Sequence, residues 1–155
     1  TPLRALVKSI LAQAQLEGVS CEVNIAESIE LAADPQRLQQ VFINLIDNAV
    51  AFSRNQPDGK LCIEASMNTD CVVINVHNNG PEVDDNLQGE ALFQPFMTKR
   101  AGGSGLGLAI VRRIVDAHGG HIKHRADTDW PVTFELTLPQ YSAHSLLGST
   151  SHDTK

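Results

Sequence analysis

Hydrophobic and polar positions along the chain predict a mixture of helices and short strands. Apolar residues recur at helical spacing through residues 3–16, which predicts an amphipathic helix leading in from an upstream domain. The segments CEVNIA at 21–26 and SIELAA at 28–33 are short strand candidates. The chain is therefore expected to begin with one helix and two strands.

A second helix is predicted from Asp34 to about Ser53. Asp34 suits the N-cap position because its side chain can accept from backbone N–H groups. Pro35 suits the first helical position, where no N–H donor is needed. The periodicity gives this helix one buried apolar face, formed by Leu38, Val41, Phe42, Leu45, Ile46, Ala49 and Phe52.

The middle of the chain predicts a β-hairpin followed by a long irregular segment. KLCIEASM at 60–67 and CVVINVH at 71–77 alternate apolar and polar residues around the turn NTD. Residues 78–103 are rich in glycine and show no regular pattern. A loop of this length inside a compact domain is usually a functional lid or is disordered.

The last third of the chain predicts a largely buried helix and two strands. Apolar residues surround the helix at 104–118 almost completely, and Gly119 follows where helices commonly stop. HIKHRA at 121–126 and PVTFELTL at 131–138 predict the final strands. The polar, Ser-rich remainder from Pro139 predicts a flexible tail.

Composition narrows the class of protein to one globular domain. The chain has 155 residues, of which 42% are hydrophobic and 19% charged. Its net charge of −6 argues against nucleic acid and anionic membranes as partners, because both require a basic surface. Three cysteines without a CxxC pair argue against a disulfide framework or a zinc site and favour a reducing cytoplasm. With no membrane-spanning run and Thr1 at its start, the chain is expected to be an excised domain whose parent could be membrane-anchored.

A glycine-rich turn is the strongest local sign of chemistry. In GGSGLGLAI, Gly103, Gly105 and Gly107 directly precede an apolar helix. Such a turn allows close approach of the backbone, and the helix N-terminus offers N–H groups and a positive dipole end to a phosphate. The spacing fits neither a P-loop nor the dinucleotide pattern. The alternative is a flexible turn with no ligand.

Two asparagines share one stripe of the second helix. Asn44 and Asn48 are four residues apart, on the shoulder of the apolar face. Asparagine is a mediocre helix former, and its amide oxygen is a hard, neutral ligand suited to Mg²⁺. The alternative is that both side chains bond only water or backbone.

Four blocks in order resemble one known family. LQQVFINLIDNAVAFS (38–53), VHNNGPEV (76–83), ALFQPFMTKR (91–100) and GGSGLGLAIVRRIVDAHGG (102–120) resemble the N box, first glycine box, F box and second glycine box of one catalytic domain. That domain is the ATP-binding domain of bacterial sensor histidine kinases, and the resemblance covers roughly residues 1–139. The F box and second glycine box look most similar to the nitrogen-regulation type.

The resemblance implies a fold and a division of the chain. The implied fold is a two-layer α/β (α+β) sandwich of the Bergerat type, with a mixed β-sheet, helices on one face and ATP under a lid. Residues 1–18 would be a lead-in helix or linker from a missing dimerisation and phosphoacceptor domain. Residues 19–139 would form the ATP-binding catalytic domain, and residues 140–155 a flexible tail.

The resemblance also implies a reaction and its partners. The domain would hold Mg-ATP, with ATP and Mg²⁺ as cofactors, for γ-phosphoryl transfer to a histidine on the dimerisation domain of the same protein. The phosphoryl group would then pass to a response regulator. None of the six histidines of this chain lies in the setting of the family's phosphoacceptor. No contact with nucleic acid or membrane is expected of this domain, which is placed in the cytoplasm.

The resemblance assigns roles to particular residues. Asn48 would bind Mg²⁺. Asn44 would lie beside the triphosphate and is a second possible Mg²⁺ ligand. Lys99 would reach the phosphates, and Phe93 and Phe96 would hold the lid. No other residue of this chain is assigned to catalysis. The expected nucleotide-binding set is Asn44, Asn48, Phe52, Asn78, Gly80, Val83, Lys99, Gly103, Ser104, Gly105, Leu106, Gly107 and Leu108.

Three positions depart from the family pattern. Asn78 replaces the adenine-binding aspartate, Glu82 replaces the second glycine of that box, and Ala51 replaces a common lysine or arginine. Asn78 still offers an oxygen to the adenine amino group and an NH₂ to donate. The weaker bond of a neutral amide would reduce the free energy of binding by about 1 kcal/mol, or about five- to tenfold in affinity. Lys99 or Arg54 would make the phosphate contact that Ala51 cannot make.

Two other functions compete with the kinase hypothesis. One is a degenerate, non-catalytic regulatory domain of the same fold with weak nucleotide binding, which the intact asparagines and second glycine box disfavour. The other is an ATPase or a protein-serine kinase relative. The ATP-hydrolysing relatives carry a glutamate that activates water at the position of Asn44, and an asparagine cannot act as a base. The F box counts against the serine-kinase relatives.

Overall fold

A five-stranded mixed sheet and three α-helices make up the described part of the chain. The computed structural model describes residues 1–83, 89–95 and 106–140. The helices are α1 (Leu3–Gln13), α2 (Pro35–Ser53) and α3 (Gly107–Ala117), with a short 3₁₀ helix at Gly89–Phe93. The strands are β1 (Ser20–Asn24), β2 (Lys60–Met67), β3 (Cys71–Asn78), β4 (His121–Arg125) and β5 (Val132–Pro139).

The strands lie in the order β1-β2-β3-β5-β4. β1 runs parallel to β2, and each of the other neighbouring pairs is antiparallel. The predicted hairpin of β2 and β3 is confirmed, with Ile63 opposite Val76 and the Asn68 N–H donating to the Cys71 oxygen at 2.8 Å across the turn. β3 is the central strand, and its last residue, Asn78, reaches the edge of the site described below.

The core lies between one face of the sheet and the helices. Alternate residues of β3 and β5, among them Ile74 and Leu136, are fully buried against this layer. Burial of each such side chain stabilises the fold by about 1.5–3 kcal/mol. The predicted two-layer arrangement with helices on one face of a mixed sheet is confirmed.

The ends of α2 and α3 follow from their capping residues. The Asp34 carboxylate accepts from the Gln36 N–H at 3.1 Å, so Asp34 is the N-cap of α2 as predicted. After α3, Gly119 adopts a φ of 72°, which glycine reaches without strain. The Gly119 and Gly120 N–H groups donate to the Asp116 and Val115 oxygens, as in a Schellman end.

One predicted boundary and one predicted strand differ in the structure. The first helix ends at Gln13 rather than 16, because Ala14 leaves the helical conformation with a φ of −80° and a ψ of 151°. Glu17 and Gly18 then take positive φ angles and turn the chain into β1. Residues 28–33 do not form a strand and make only two isolated bridges, from Glu30 to Pro2 and from Leu31 to Gln140. Ile29 and Leu31 are buried, so these apolar side chains pack in the core although their backbone does not join the sheet.

Several expectations fall on residues outside the described ranges. Within the long segment predicted to be irregular, the structure describes the 3₁₀ helix and shows Leu92 and Phe93 buried in the core. Residues 104–105 of the third predicted helix and nearly all of the predicted tail lie outside the described residues. No helix in the described ranges is long and apolar enough to cross a membrane.

Candidate nucleotide-binding site

Helix α2 presents the two predicted asparagines toward its packed side. Asn44 is half-buried, and Asn48 keeps only 4% of its surface exposed. The Asn48 Oδ1 atom is buried and has no hydrogen-bond partner among the residues that the structure describes. A buried acceptor without a partner costs about 1–3 kcal/mol, so this oxygen is a candidate ligand for a cation or a donor.

The N-terminus of α3 meets this asparagine stripe at Gly107. A Cβ built on Gly107 would have Asn44 as its nearest neighbour, with Oδ1 at 3.8 Å. Leu106, at the N-cap position, has no polar side chain with which to cap the helix, and buried Leu108 anchors the first turn in the core. The positive end of the helix dipole is thereby directed to the space beside Asn44.

The end of β3 forms the opposite boundary of the site. Asn78 is fully buried, and its Oδ1 accepts from the Gly80 N–H at 2.8 Å. Its Nδ2 is buried without a partner among the described residues. Gly80 lies directly against α2, because a Cβ there would come within 2.5 Å of the Phe52 carbonyl oxygen. Only glycine permits this approach between β3 and the last turn of α2.

These two boundaries define an elongated site along α2. Asn44 adjoins the N-terminus of α3, and Phe52 adjoins Gly80 beside Asn78. The eight residue steps from Asn44 to Phe52 span about 12 Å of helix. The α3 end suits an anion. The β3 end carries a buried hydrogen-bond donor, Asn78 Nδ2, without a partner in the part of the chain that the structure describes.

The 3₁₀ helix attaches the segment between β3 and α3 to the core. Phe93 is buried, meets Phe134 edge-on at 6.2 Å between ring centroids, and lies beneath the Arg112 guanidinium at 5.6 Å. Aromatic and cation–π contacts thus fix Phe93 to the core, and its contribution to holding the lid stays a prediction.

Several predicted site residues lie outside the described residues. These are Lys99, Phe96, Gly103, Ser104 and Gly105.

Two further positions that depart from the family pattern are Glu82, which is exposed, and Ala51, which is half-buried on α2. Val83, which belongs to the expected nucleotide-binding set, is half-buried and packs on the core. Arg54 pairs with Glu17 at 3.1 Å, so its guanidinium is engaged beside the turn before β1 rather than at the site.

Asn79 is a residue whose contribution the sequence reasoning missed. Its Oδ1 accepts from the Lys60 N–H at 2.8 Å, and its Nδ2 donates to the Asp58 oxygen at 2.7 Å. Asn79 thus ties the end of β3 to the start of β2 and steadies the loop that contains Asn78. The doubled asparagine in VHNNGPEV was the available signal, because asparagine commonly bonds backbone in turns.

The chemistry of the described site is that of amides rather than acids. Asn44, Asn48 and Asn78 are all neutral, and none can remove a proton from water. The described titratable groups with shifted pKa values lie elsewhere. The pKa of Cys62 is raised to about 11, chiefly by burial and next by the charge of Glu64. Burial lowers the pKa of His124. The described part of the site can therefore bind and orient a ligand but holds no general base.

Comparison with known proteins identifies the family. The model of the histidine kinase-, DNA gyrase B- and HSP90-like ATPases matches residues 33–142. The signal transduction histidine-protein kinase AtoS of Escherichia coli K12 is 36% identical over 144 residues, which cover 88% of this chain and 23% of that protein. The sensor histidine kinase ZraS of Salmonella typhimurium is 40% identical over 110 residues, which cover 70% of this chain and 23% of that protein.

Solved structures agree with this family. The catalytic domain of histidine kinase ThkA, in a nucleotide-free form, has a TM-score of 0.77 and 30% identity, and the match covers 90% of this chain and 95% of that one. Full-length ShkA in complex with AMPPNP has a TM-score of 0.73 and 26% identity, and the match covers 92% of this chain and 31% of that one.

The chain belongs to the histidine kinase-, DNA gyrase B- and HSP90-like ATPase family. Within that family it corresponds to the catalytic ATP-binding domain of sensor histidine kinases. The resemblance stated from the four sequence blocks is thus confirmed, together with the fold. The chain spans about a quarter of the length of the curated relatives AtoS and ZraS.

Proposed function

We propose that this chain holds Mg-ATP for transfer of the γ-phosphoryl group to a histidine on a separate domain of its parent protein. The observation that carries this proposal is the Asn48 Oδ1 atom, buried and without a partner among the described residues. It lies one helical turn from Asn44, which adjoins the N-terminus of α3. A cation-binding oxygen and an anion-binding helix end are the two features that a metal–triphosphate requires.

Asn48 is a suitable residue for Mg²⁺. Its amide oxygen is hard, neutral and already removed from water, and Mg²⁺ takes few protein ligands when phosphate oxygens share it. Asn44 is the second possible ligand on the same stripe. When bound, Mg²⁺ supplies positive charge that offsets the charge of the triphosphate.

The residues of the chain itself bind and orient the triphosphate. The first N–H groups of α3 have no acceptor within the helix and face the anion, with the helix dipole favouring negative charge. Gly107 leaves room beside Asn44 for a phosphate oxygen. Lys99, Gly103, Ser104 and Gly105 are proposed to complete the phosphate contacts from the segment before α3.

The absence of a base at Asn44 favours transfer over hydrolysis. An amide cannot activate water, so bound ATP is held until an external nucleophile enters. Phosphoryl transfer depends chiefly on positioning and charge neutralisation, which an amide-lined site can supply. We propose a histidine nucleophile because the relatives AtoS and ZraS are named as histidine kinases.

The proposed partners follow because this chain would bind the nucleotide while the nucleophilic histidine comes from another domain. The histidine would come from a dimerisation domain of the same protein, and a response regulator would receive the phosphoryl group. The net charge of −6 supports the absence of nucleic acid and of an anionic membrane surface among the partners.

Phosphorylation of the full-length parent protein tests this proposal. Incubation with γ-labelled ATP and Mg²⁺ should yield an acid-labile, base-stable phosphohistidine outside residues 1–155. Asn48→Ala should abolish labelling, whereas Asp47→Ala, an exposed neighbour on α2, should preserve it. Acid-stable label on a hydroxyl, or rapid release of inorganic phosphate without protein labelling, would contradict the proposed transfer.

A further inference from the structure

Asn79 joins the end of β3 to the loop between α2 and β2. Its Oδ1 accepts from the Lys60 N–H at 2.8 Å, and its Nδ2 donates to the Asp58 carbonyl oxygen at 2.7 Å. Its backbone N–H also donates to the Lys60 carbonyl oxygen, at 3.3 Å. The half-buried side chain thus uses both its acceptor and its donor on the backbone of a neighbouring segment.

That neighbouring segment is itself fixed to α2 and β1. Gly59 lies so close to the last turn of α2 that a Cβ there would come within 2.5 Å of the Ser53 carbonyl oxygen. The Gln56 N–H donates to the same oxygen at 2.9 Å, and the Gly59 carbonyl oxygen accepts from the Ser20 N–H at 2.9 Å. Asn79 is therefore bonded to backbone that has little freedom to move.

The turn that Asn79 holds contains Asn78, at one end of the proposed nucleotide site. Asn78 is fully buried, and its Oδ1 accepts from the Gly80 N–H at 2.8 Å. Gly80 lies directly against the Phe52 carbonyl oxygen at the end of α2. The bonds of Asn79 to the start of β2 and the packing of Gly80 on α2 hold this turn from two sides.

The Asn78 amide can both donate to a ligand and accept from one. Its Nδ2 has no partner in the part of the chain that the structure describes, and its Oδ1 keeps a second acceptor site beside the Gly80 bond. The edge of adenine carries an amino donor next to a ring-nitrogen acceptor, a pair that a single amide can meet. Such paired contacts require placement of the side chain to within about 0.5 Å.

We propose that Asn79 is a positioning residue for ATP, because it holds the Asn78 amide in place against adenine. Asn79 acts through the loop between α2 and β2, since both of its side-chain bonds go to the backbone there. This inference rests on the proposed function, because it requires ATP to lie along α2. It adds residues 54–60, which lie outside the four sequence blocks, to the structure that supports the site.

Calorimetric titration of the chain with ATP, with and without Mg²⁺, tests this role. Asn79→Ala should raise the Kd for ATP about tenfold while the number of sites per chain stays the same. The strengthening of ATP binding by Mg²⁺ should be retained, because Asn48 and the N-terminus of α3 are untouched. A substitution that only destabilised the fold would lower the Tm and leave the Kd of the folded chains unchanged.

Two further variants make the test specific. Asn79→Asp keeps the acceptor for the Lys60 N–H and loses the donor to the Asp58 oxygen, so its Kd should lie between those of wild type and Asn79→Ala. Asn68→Ala is the matched control, because Asn68 is an exposed asparagine in the turn at the opposite end of the β2–β3 hairpin. The control should leave the Kd for ATP unchanged. Thermal unfolding of each variant checks that it is folded, and Asn79→Asp decides the question if Asn79→Ala does not fold.

The possible outcomes separate this inference from nucleotide binding itself. If wild type binds ATP and a folded Asn79 variant binds it with the same Kd, Asn79 has no positioning role and the proposed function stands. Loss of the Mg²⁺ dependence in the Asn79 variants would place their effect at the phosphate end and overturn the inference, as would an equal rise of the Kd in Asn68→Ala. Failure of wild type to bind ATP contradicts the proposed function and the inference with it.

Discussion

Two amide side chains define the site through atoms that have no hydrogen-bond partner among the described residues. Asn48 offers a buried acceptor and Asn78 a buried donor, and neither satisfies the other. Each costs about 1–3 kcal/mol in the absence of a ligand, a large fraction of the stability of a small domain. Such groups are rare in native structures and are expected where a ligand completes them.

Gly107→Ala tests the proposed approach of phosphate to α3. The new methyl group would meet Asn44 at 3.8–4.0 Å, an ordinary contact, and alanine is a better helix former than glycine. The free energy of unfolding should therefore be unchanged or rise by up to about 1 kcal/mol. ATP affinity should fall because the methyl group occupies the space beside Asn44, and calorimetry with chemical denaturation measures both quantities. Unchanged affinity would show that the triphosphate does not approach this turn.

The sequence was informative about the site where spacing determines geometry. Helical periodicity alone places Asn44 and Asn48 on one stripe, and the structure keeps them there. The bond from Gly80 to Asn78 is a local asparagine turn that the pattern Asn-x-Gly allows. The burial of Asn48 Oδ1 could not be read from the sequence, because it depends on tertiary packing of α2 against distant parts of the chain.

At the scale of elements, the junction between β3 and α2 fixes the position of Asn78 at one end of the site. Gly80 and the Phe52 carbonyl are too close for any side chain at position 80.

Gly80→Ala should therefore destabilise the fold by about 2 kcal/mol or more and loosen Asn78. Denaturant unfolding would measure the destabilisation, with Gly89→Ala as a reference. There a Cβ meets no atom of the described residues within 4 Å, and the positive φ of 72° supplies the cost. Equal effects from the two substitutions would contradict a special close approach at Gly80.

Predictions of elements succeeded where the pattern was local and failed where burial came from outside the sheet. α2 carried an N-cap, a proline and a long apolar face, and the β2–β3 hairpin alternated cleanly around its turn. Residues 28–33 alternate in the same way, yet Ile29 and Leu31 are buried by the start of α1 and the end of β5 without joining a ladder. Alternation of apolar and polar residues indicates that one side of a segment is buried, but it does not indicate which part of the protein covers that side.

At the scale of the whole molecule, stability should depend on pH through His124. Its ring packs on Phe134 on the helix side of the sheet, and burial lowers its pKa below the ordinary 6.5. The unfolded chain then binds a proton more readily than the folded chain. Stability should be greatest above pH 6.5 and should decline as the pH falls through the folded pKa.

His124→Phe should reduce this decline, because phenylalanine fills the same apolar site and cannot be protonated. Chemical denaturation at several pH values between neutral and mildly acidic would compare the variant with wild type. An identical decline in both proteins would assign the pH dependence to other groups.

Calorimetric titration of ATP with and without Mg²⁺ tests most directly whether Asn48 makes nucleotide binding depend on the cation. In wild type, Mg²⁺ should strengthen ATP binding. In Asn48→Ala this dependence should disappear, while Asp47→Ala should retain it. Persistence of the full Mg²⁺ dependence in Asn48→Ala would contradict the assignment of Asn48 as the magnesium ligand.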